Sequence, residues 1–179
     1  VDQQRISELP LNGRQVTQLI LTLGAAVYGD SGDTGSKTFY SSTRISVAGG
    51  QGNGTAYLLD GGDNTDAMSN VNLPFPFPDA LQEFRVQTRT YSAEFGTSAG
   101  AVINASLKSG SNAFHGDVWE FLRNNRLDSN TYFNNAGGVP RGHFTQNQFG
   151  GTIGGPIIKN RTFFFFDAQN FTSRKATTV

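Results

Sequence analysis

Carboxylate and amide oxygens are concentrated in one short segment, residues 60–66, which reads DGGDNTD. The side chains that carry them are Asp60, Asp63, Asn64 and Asp66. Hard cations such as calcium bind through several oxygens of this kind, but the calcium-loop pattern also needs its glycine and its closing glutamate in register, and here they are not. We therefore interpret the segment as a turn and predict no metal or cofactor, with a cation site as the alternative.

Covalent catalysis has little support in this sequence. The chain has no cysteine, which excludes a thiol nucleophile, a thiolate metal site and disulfides. The two histidines, His115 and His143, lie in different segments, and neither belongs to a GxSxG or HExxH pattern. Carboxylates are present, but any β protein of this size contains a pair that could be called an acid and a base. We predict that the protein is not an enzyme.

The composition favours strands and turns and excludes an electrostatic binder of nucleic acid. The 179 residues include 22 glycines and 15 phenylalanines. Glycine costs backbone entropy in a helix, whereas aromatic residues are enriched in strands. The 14 basic residues balance the 14 acidic ones without any basic run, so the positive patch of a nucleic-acid binder is missing. No window holds the roughly 20 apolar residues of a membrane-spanning helix.

One amphipathic helix is predicted, over Asn12 to Leu23. Its apolar side chains recur at positions i, i+3, i+4 and i+7, and Asn12 is the predicted N-cap. These side chains are Val16, Leu19, Ile20 and Leu23. The residues from Val1 to Arg5 are polar and lack an initiating methionine, so we expect an internal fragment whose targeting segment lies upstream.

Two short strands, Ile45 to Ala48 and Tyr57 to Asp60, are predicted to pair with each other. Between them lies a glycine-rich segment, Gly49 to Gly54, whose spacing fits neither a P-loop nor a Rossmann turn. We therefore predict a hairpin whose loop is formed by these glycines.

In residues 70–78, NVNLPFPFP, phenylalanines alternate with prolines. This pattern predicts an extended loop rather than a central strand. Phe75 and Phe77 on this loop either pack inward or face a ligand. A helical turn at Asp79 to Gln82 and a strand over Glu83 to Thr88 are predicted to follow.

A further alternating strand follows residues 91–100, YSAEFGTSAG. Ala101, Ile103, Ala105 and Leu107 lie on its apolar face, and Asn104, Ser106 and Lys108 lie on its polar face. Ser-Gly-Ser-Asn at residues 109–112 then forms a turn. The elements up to this turn predict one compact α+β unit of about 110 residues.

The strands predicted after this turn are long and two-faced. They cover Phe114 to Arg123, Asn147 to Ile157 and the residues after a short turn at Lys159 to Arg161, with a polar loop over Asn124 to Thr145. One face carries Phe149, Ile153, Ile157, Phe164 and Phe166. Alternation over about 10 residues per strand is typical of outer-membrane barrels, although an edge strand of a soluble sandwich shows the same pattern.

Several motifs in this order resemble a known family. They are ISELPLNGR at residues 6–14, LLDGGDN at 58–64, DALQEFRVQT at 79–88, YSAEFGTSAGAVIN at 91–104 with its LKSG and FHG sequels, and NQFGGTIGGPIIKNRTFFF at 147–165. Together they resemble the plug domain and first barrel hairpin of TonB-dependent outer-membrane transporters. The resemblance is greatest to the Oar-like branch, in which a carboxypeptidase-regulatory-like domain commonly precedes the plug.

The resemblance implies an α+β plug domain over residues 1–112, with a mixed short-stranded sheet and one or two helices. Residues 113–179 would be the first three or so antiparallel strands of a transmembrane β-barrel in the bacterial outer membrane. In this family the plug gates the barrel lumen, helps to bind substrate from outside and is rearranged by TonB. The implied partners are TonB, through a segment upstream of this chain, the rest of the same barrel, outer-membrane lipid and a small-molecule, glycan or peptide substrate, with no nucleic acid.

The resemblance also implies roles for individual side chains. Substrate would contact the apical plug loops through Asn53, Asp63, Asn64, Asn70, Asn72, Phe75 and Phe77. Contacts between plug and barrel would involve Arg85, Arg89 and Glu94, whose alternative role is that of ordinary solvated strand charges. Phe149, Ile153, Ile157, Phe164 and Phe166 would face lipid. The alternative for the whole chain is a soluble β-rich glycan-binding or adhesion module at the cell surface.

Overall fold

The computed structural model describes residues 6, 11, 14–22, 24–29, 44–88, 91–95 and 98–175. The chain forms two compact units, Val1–Lys108 and Ser109–Val179. The division falls a few residues before the boundary predicted after residue 112. Within the described ranges, neither helix approaches the length and hydropathy required to span a membrane.

Unit 1 combines short helices with two small sheets, which confirms the predicted α+β class. Its elements are α1 (Gln18–Leu21), β1 (Ala26–Tyr28), β2 (Ile45–Val47), β3 (Ala56–Leu59), β4 (Gly62–Asp63), β5 (Leu81–Gln87) and β6 (Val102–Leu107), with 3-10 turns at Pro78–Ala80 and Ala93–Phe95. One sheet pairs β1 with β2, and the other has the order β4-β3-β6-β5. In this four-stranded sheet β3 and β6 are parallel, whereas the other neighbours are antiparallel.

The predicted helix is present but much shorter than predicted. It covers Gln18–Leu21 rather than residues 12–23, and its N-cap is Thr17; the proposed N-cap Asn12 lies outside the described residues. The helix ends because the Thr22 hydroxyl donates a hydrogen bond to the Leu19 carbonyl at 2.7 Å and Gly24 adopts a left-handed φ of +68°. The prediction of the buried face is confirmed for Val16, Leu19 and Ile20.

The predicted pairing of the second and third strands is wrong. β2 pairs with β1, while β3 lies between β4 and its parallel partner β6. The glycine-rich segment therefore connects two sheets instead of closing a hairpin. Its turn begins directly after β2, where the Gly50 amide donates to the Val47 carbonyl at 2.9 Å. A parallel pair such as Ala56 with Val102 joins residues far apart in the chain, and local sequence patterns do not reveal it.

The core of unit 1 includes Tyr57, whose side chain is fully buried. Around it lie α1, β5 and the predicted apolar face of β6, of which Ala101, Ile103 and Ala105 are buried. Among the residues that the structure describes, the Tyr57 hydroxyl has no hydrogen-bond partner, and burial raises the pKa of this phenol far above its usual range. A buried, unsatisfied hydroxyl costs on the order of 1–3 kcal/mol.

Replacing Tyr57 by Phe is therefore expected to increase the free energy of unfolding, by about 1 kcal/mol, because it removes the unsatisfied hydroxyl and keeps the ring. Calorimetry on the full-length protein measures the change. Tyr91→Phe is the matched control, since the Tyr91 hydroxyl donates to the Ser98 carbonyl and its loss should destabilise by about 0.5–1.5 kcal/mol. Destabilisation by both variants would show that the Tyr57 hydroxyl is satisfied.

Unit 2 is an antiparallel three-stranded meander with the order β7-β8-β9. Its strands are β7 (His115–Asn124), β8 (Phe144–Ile158) and β9 (Thr162–Lys175). The three strands and the short turn at Lys159 to Arg161 confirm the predicted elements, although β8 and β9 are longer than predicted. The connection between β7 and β8 is not entirely irregular, because it contains α2 (Tyr132–Ala136), capped by the Thr131 side chain, which accepts a hydrogen bond from the Asn134 amide at 3.3 Å.

Candidate functional site

The parallel pair β3 and β6 defines two ends of the sheet in unit 1. Both strands begin at the same end, where the loops that precede them are joined by hydrogen bonds. The Gly100 amide donates to the Gly54 carbonyl at 2.8 Å, and the Ser98 hydroxyl donates to the same carbonyl at 2.8 Å. The loop before β3 and the loop before β6 therefore form one continuous surface.

A cavity of about 340 Å³ lies at this end of the sheet. Its lining includes three of the side chains predicted to contact substrate, Asn53, Asp63 and Asn70, together with Glu94, which was predicted to contact the barrel. The remaining lining residues are Gly54, Thr55, Ala56, Leu58, Thr65, Ala67, Phe95 and Ser98. The structure thus brings predicted residues from three separate loops and from strand β4 to one site.

The polar side chains that line this cavity act as hydrogen-bond donors and acceptors. Two of its hydroxyls are used by the protein itself: Thr65 donates to the Tyr57 carbonyl at 3.2 Å, and Ser98 bonds to the Gly54 carbonyl. Asp63 accepts a hydrogen bond from the Thr65 amide at 3.0 Å. Within the described part of the chain, no group of three or more metal-ligating side chains occurs. Carboxylates and side-chain amides are what the cavity offers to a ligand.

The other two predicted amides lie inside the protein. Asn72 is 0% exposed and Asn64 is 9% exposed. Their side-chain nitrogens both donate to the Leu73 carbonyl, at 3.0 and 3.3 Å. Their observed role is to hold the loop that follows β4, because a buried amide must find a partner.

The structure corrects the position of Phe75. Its side chain is 7% exposed and belongs to the hydrophobic core, with its ring 6.3 Å from the ring of Tyr57. Phe75 therefore packs inward, the first of the two possibilities that the sequence left open, and does not present a stacking surface. Phe77 is half-buried and does not line the cavity.

Of residues 60–66, which were predicted to form a turn, only the first two form the turn at the opposite end of β3, and Gly62–Asp63 form strand β4. Asp60 and Gly61 connect β3 to β4 and both have positive φ, +50° and +78°. The Asp60 carboxylate accepts a hydrogen bond from the Leu107 amide at 2.8 Å, so this turn is attached to the end of β6.

Asp66 closes a small loop with Ser69. Its carboxylate accepts hydrogen bonds from the Ser69 hydroxyl and from the Ser69 amide, the latter at 2.8 Å. These bonds lower the pKa of Asp66. Because the folded-state pKa is depressed, the contact stabilises the loop above the ordinary carboxyl pKa and is lost as pH falls through the lowered value.

The three charged side chains that were predicted to contact the barrel differ in their surroundings or lie outside the described residues. Arg85 lies on β5 and forms an exposed ion pair with Glu83 at 3.2 Å. Glu94 lines the cavity. Arg89 lies outside the described residues. The observed pair of Arg85 matches the solvated-charge alternative, and a surface pair of this kind contributes little to stability.

In unit 2, the register of the sheet places four of the five residues predicted to face lipid on one face. Ile153 is opposite Phe166, Gly155 is opposite Phe164, and Phe149 is opposite Asn170. Ile157 lies at the irregularity near the end of β8. The same face of β7 carries Val118 and Leu122, which are both exposed, and Phe114, directly before β7, is exposed as well.

The opposite face of β8 is polar and buried. Gln146, Gln148 and Thr152 are buried, with Gln148 only 1% exposed, whereas Ile153 on the first face is 49% exposed. This distribution is the inverse of a soluble sheet, which buries its apolar face. Strands with an apolar outer face and a polar inner face are those of outer-membrane barrels. Unit 2 therefore has the features of a part of the wall of an outer-membrane β-barrel.

The apolar face covers only part of the length of the strands. Glu120, Phe149 and Asn170 form one row across the sheet. The next two rows contain one apolar side chain and five polar ones: Leu122, Asn147 and Thr172, followed by Asn124, Thr145 and Arg174. Large apolar side chains dominate on the other side of the row, from Phe149 down to Ile157. From Phe149 to Ile157 the strand has nine residues, which is within the range of about 9–11 residues that a tilted transmembrane strand requires.

Close packing on glycine is a feature of the wall that sequence reasoning missed. The Trp119 ring lies over Gly150, where an added Cβ would be 2.7 Å from ring atom Cζ2 and 2.6 Å from the Ala168 carbonyl oxygen. The His115 ring lies over Gly154, and the Phe114 ring lies over Gly155. The repeated GG pairs of GGTIGG, residues 150–155, are the pattern from which this packing could have been predicted.

Comparisons with known proteins agree with this class. A family model described as an outer membrane beta barrel domain matches residues 106–179. The TonB-dependent transporter Oar of Myxococcus xanthus is 35% identical over 141 residues, which are 74% of this chain and 13% of that protein. The crystal structure of the siderophore receptor PirA from Acinetobacter baumannii matches with a TM-score of 0.66 and 18% identity, over 97% of this chain and 24% of that one, and shows the same fold.

The chain belongs to the TonB-dependent outer-membrane receptors and transporters, and it is similar to the Oar-like branch. Its location is therefore the bacterial outer membrane, and the soluble adhesion module that the sequence left as an alternative is set aside. The relatives are transporters and receptors rather than enzymes. The chain spans only a small part of each relative, 13% of Oar and 24% of PirA.

Proposed function

We propose that unit 1 is the plug of a TonB-dependent transporter and that unit 2 begins the wall of the barrel that the plug closes. The observation that carries the proposal is the polar buried face and apolar exposed face of β7-β8-β9, directly after a separate α+β unit. Force delivered through TonB, acting on a segment upstream of this chain, rearranges the plug and admits substrate to the periplasm. Arg85, Arg89 and Glu94 remain candidates for pairs with the barrel wall.

The cavity at the start of β3 and β6 is the proposed substrate-facing surface of the plug. β6 ends at Leu107 and the chain then continues into unit 2, so the cavity lies at the end of β6 away from this connection. We propose that the loops lining this cavity are the apical loops of the plug, as the resemblance to TonB-dependent transporters implies. Asn53, Asp63 and Asn70 are the side chains that would bond to substrate there.

Uptake by cells tests this function. Cells that produce the full-length protein are expected to accumulate one ligand from a panel of labelled ferric siderophores, cobalamin, oligosaccharides and peptides, and to lose at least tenfold of that uptake without TonB or without proton-motive force. Asn53→Ala combined with Asn70→Ala should weaken binding of the same ligand about tenfold, since two hydrogen bonds at about 0.5–1.5 kcal/mol each are lost.

Asn104→Ala is the matched control for the cavity, because Asn104 is not one of its lining residues and its side-chain oxygen accepts a hydrogen bond from the Gly61 amide at 3.3 Å. Uptake that persists without TonB would contradict the proposed function. Affinity that is equally reduced by Asn104→Ala would instead contradict the assignment of the cavity.

A further inference from the structure

The linker between β6 and β7 is bonded to the turn between β8 and β9. The Asn112 side-chain nitrogen donates to the Asn160 side-chain oxygen at 2.6 Å, and the Asn160 backbone amide donates to the Asn112 side-chain oxygen at 2.7 Å. Each residue is both donor and acceptor, so the pair fixes the distance and the orientation of the two segments. Both residues belong to unit 2.

The turn is shaped to make this pair. Asn160 has a φ of +61°, a conformation that asparagine tolerates better than most residues, and the Arg161 amide donates to the Ile158 carbonyl at 3.1 Å across the turn. The backbone amide of Asn160 consequently points out of the turn, where Asn112 accepts its hydrogen bond.

Gly110 forms a second contact between the linker and the wall. A Cβ at this position would overlap the Phe164 carbonyl oxygen and would lie 2.8 Å from the Gly155 carbonyl oxygen and 2.9 Å from the Phe164 nitrogen. These are backbone atoms of paired strands, which cannot move aside without breaking the ladder. Only glycine allows the linker to lie this close to β8 and β9.

The rest of the linker is held by its own hydrogen bonds. The Ser111 hydroxyl donates to the Ala113 carbonyl at 3.0 Å and accepts from the Ala113 amide at 3.3 Å. The sequence predicted a turn at residues 109–112. The structure instead shows a segment fixed to the wall at two points, Gly110 and the Asn112–Asn160 pair.

We propose that Asn112 and Asn160 are positioning residues that anchor the C-terminal end of the plug to the barrel wall. This inference rests on the proposed function, in which the plug moves and the wall does not. The Lys108 amide donates to the Ala80 carbonyl at 2.9 Å within unit 1. Because the chain is also fixed from Gly110 onwards, movement of the plug pivots at Ser109. The anchor limits how far the C-terminal end of the plug can be displaced when TonB acts on the N-terminal side.

Charge repulsion provides a matched set of variants in the full-length protein. In Asn160→Asp the carboxylate still accepts from Asn112 and the backbone amide still donates, so both hydrogen bonds are kept. In the double variant Asn112→Asp with Asn160→Asp, two carboxylates face each other where the donor was, and the pair opens. Gly110→Ala opens the second contact without adding charge.

Hydrogen exchange of the protein in lipid vesicles reports the anchor directly and needs no substrate. We expect exchange at the amides of residues 109–113 to rise at least tenfold in the double variant and in Gly110→Ala, and to stay within twofold of the wild type in Asn160→Asp and in strands β3 and β6 of every variant. Channel openings in planar bilayers, which report displacement of the plug, should rise about tenfold in the same two variants.

Unchanged exchange at residues 109–113 in both opened variants would overturn the anchor. Exchange that rises equally throughout β3 and β6 would also overturn it, because the pair would then only stabilise the fold. Faster exchange in the linker without more frequent openings would contradict the positioning role. Absence of TonB-dependent uptake by the wild-type protein would count against the proposed function and leave the exchange result standing on its own.

Discussion

Placing a lysine at Ile153 is expected to destabilise the barrel wall by about 2–4 kcal/mol, the cost of a basic side chain near the middle of the apolar band. Ile153 is on the central strand β8, opposite Phe166 and midway between Ile157 and Phe149. Its side chain is on the exposed apolar face. A charge there must leave water for hydrocarbon, and neither neighbouring strand offers it a partner on that face, because the residues opposite are Gly116 and Phe166.

Urea unfolding of the full-length protein in lipid vesicles measures this cost. Asn170→Lys is the matched control, since Asn170 lies on the same face but in the row where polar residues begin, and there the cost should fall to about 0–1 kcal/mol. Equal costs at the two positions would mean that this face has no depth-dependent contact with lipid. The proposed wall would then be wrong.

Replacing Gly150 by Val is expected to destabilise the same sheet by about 3 kcal/mol, at the upper end of the usual overpacking cost. The new Cβ would meet the Trp119 ring at 2.7 Å and the Ala168 carbonyl oxygen at 2.6 Å. Trp119 is buried, so its ring has little room to move away. The Ala168 carbonyl belongs to β9, which pairs with this part of β8, and its displacement would break the ladder.

The fraction of folded barrel, read from heat-dependent electrophoretic mobility of the full-length protein, detects this loss. Gly142→Val is the control, because a Cβ at Gly142 would meet nothing within 4 Å. A second variant, Gly150→Val with Trp119→Ala, should recover part of the folded fraction by making room for the valine. If Gly150→Val alone folds as well as Gly142→Val, the ring of Trp119 does not pack on Gly150.

Some features could be predicted because they depend on neighbouring residues. The alternation of Phe149 and Ile153 with Gln148 and Thr152 directly specifies a strand with two different faces, since successive side chains of a strand point in opposite directions. Turns at residues 60–61 and 159–161 are specified in the same way, by residues that tolerate positive φ. The family motifs extend this local information to the class of protein.

In unit 1, the tertiary structure alone decided which strands pair. Because β3 pairs in parallel with β6, the glycine-rich segment does not close a hairpin. The end of this segment, with Asn53, instead lines the cavity together with Asp63 and Asn70. In the same unit, Phe75 packs in the core beside Tyr57, and Asn72 is fully buried. The bond between Asn112 and Asn160 joins residues 48 positions apart. Contacts at such separations depend on the packing of the whole sheet, and the pattern of adjacent residues carries no trace of them.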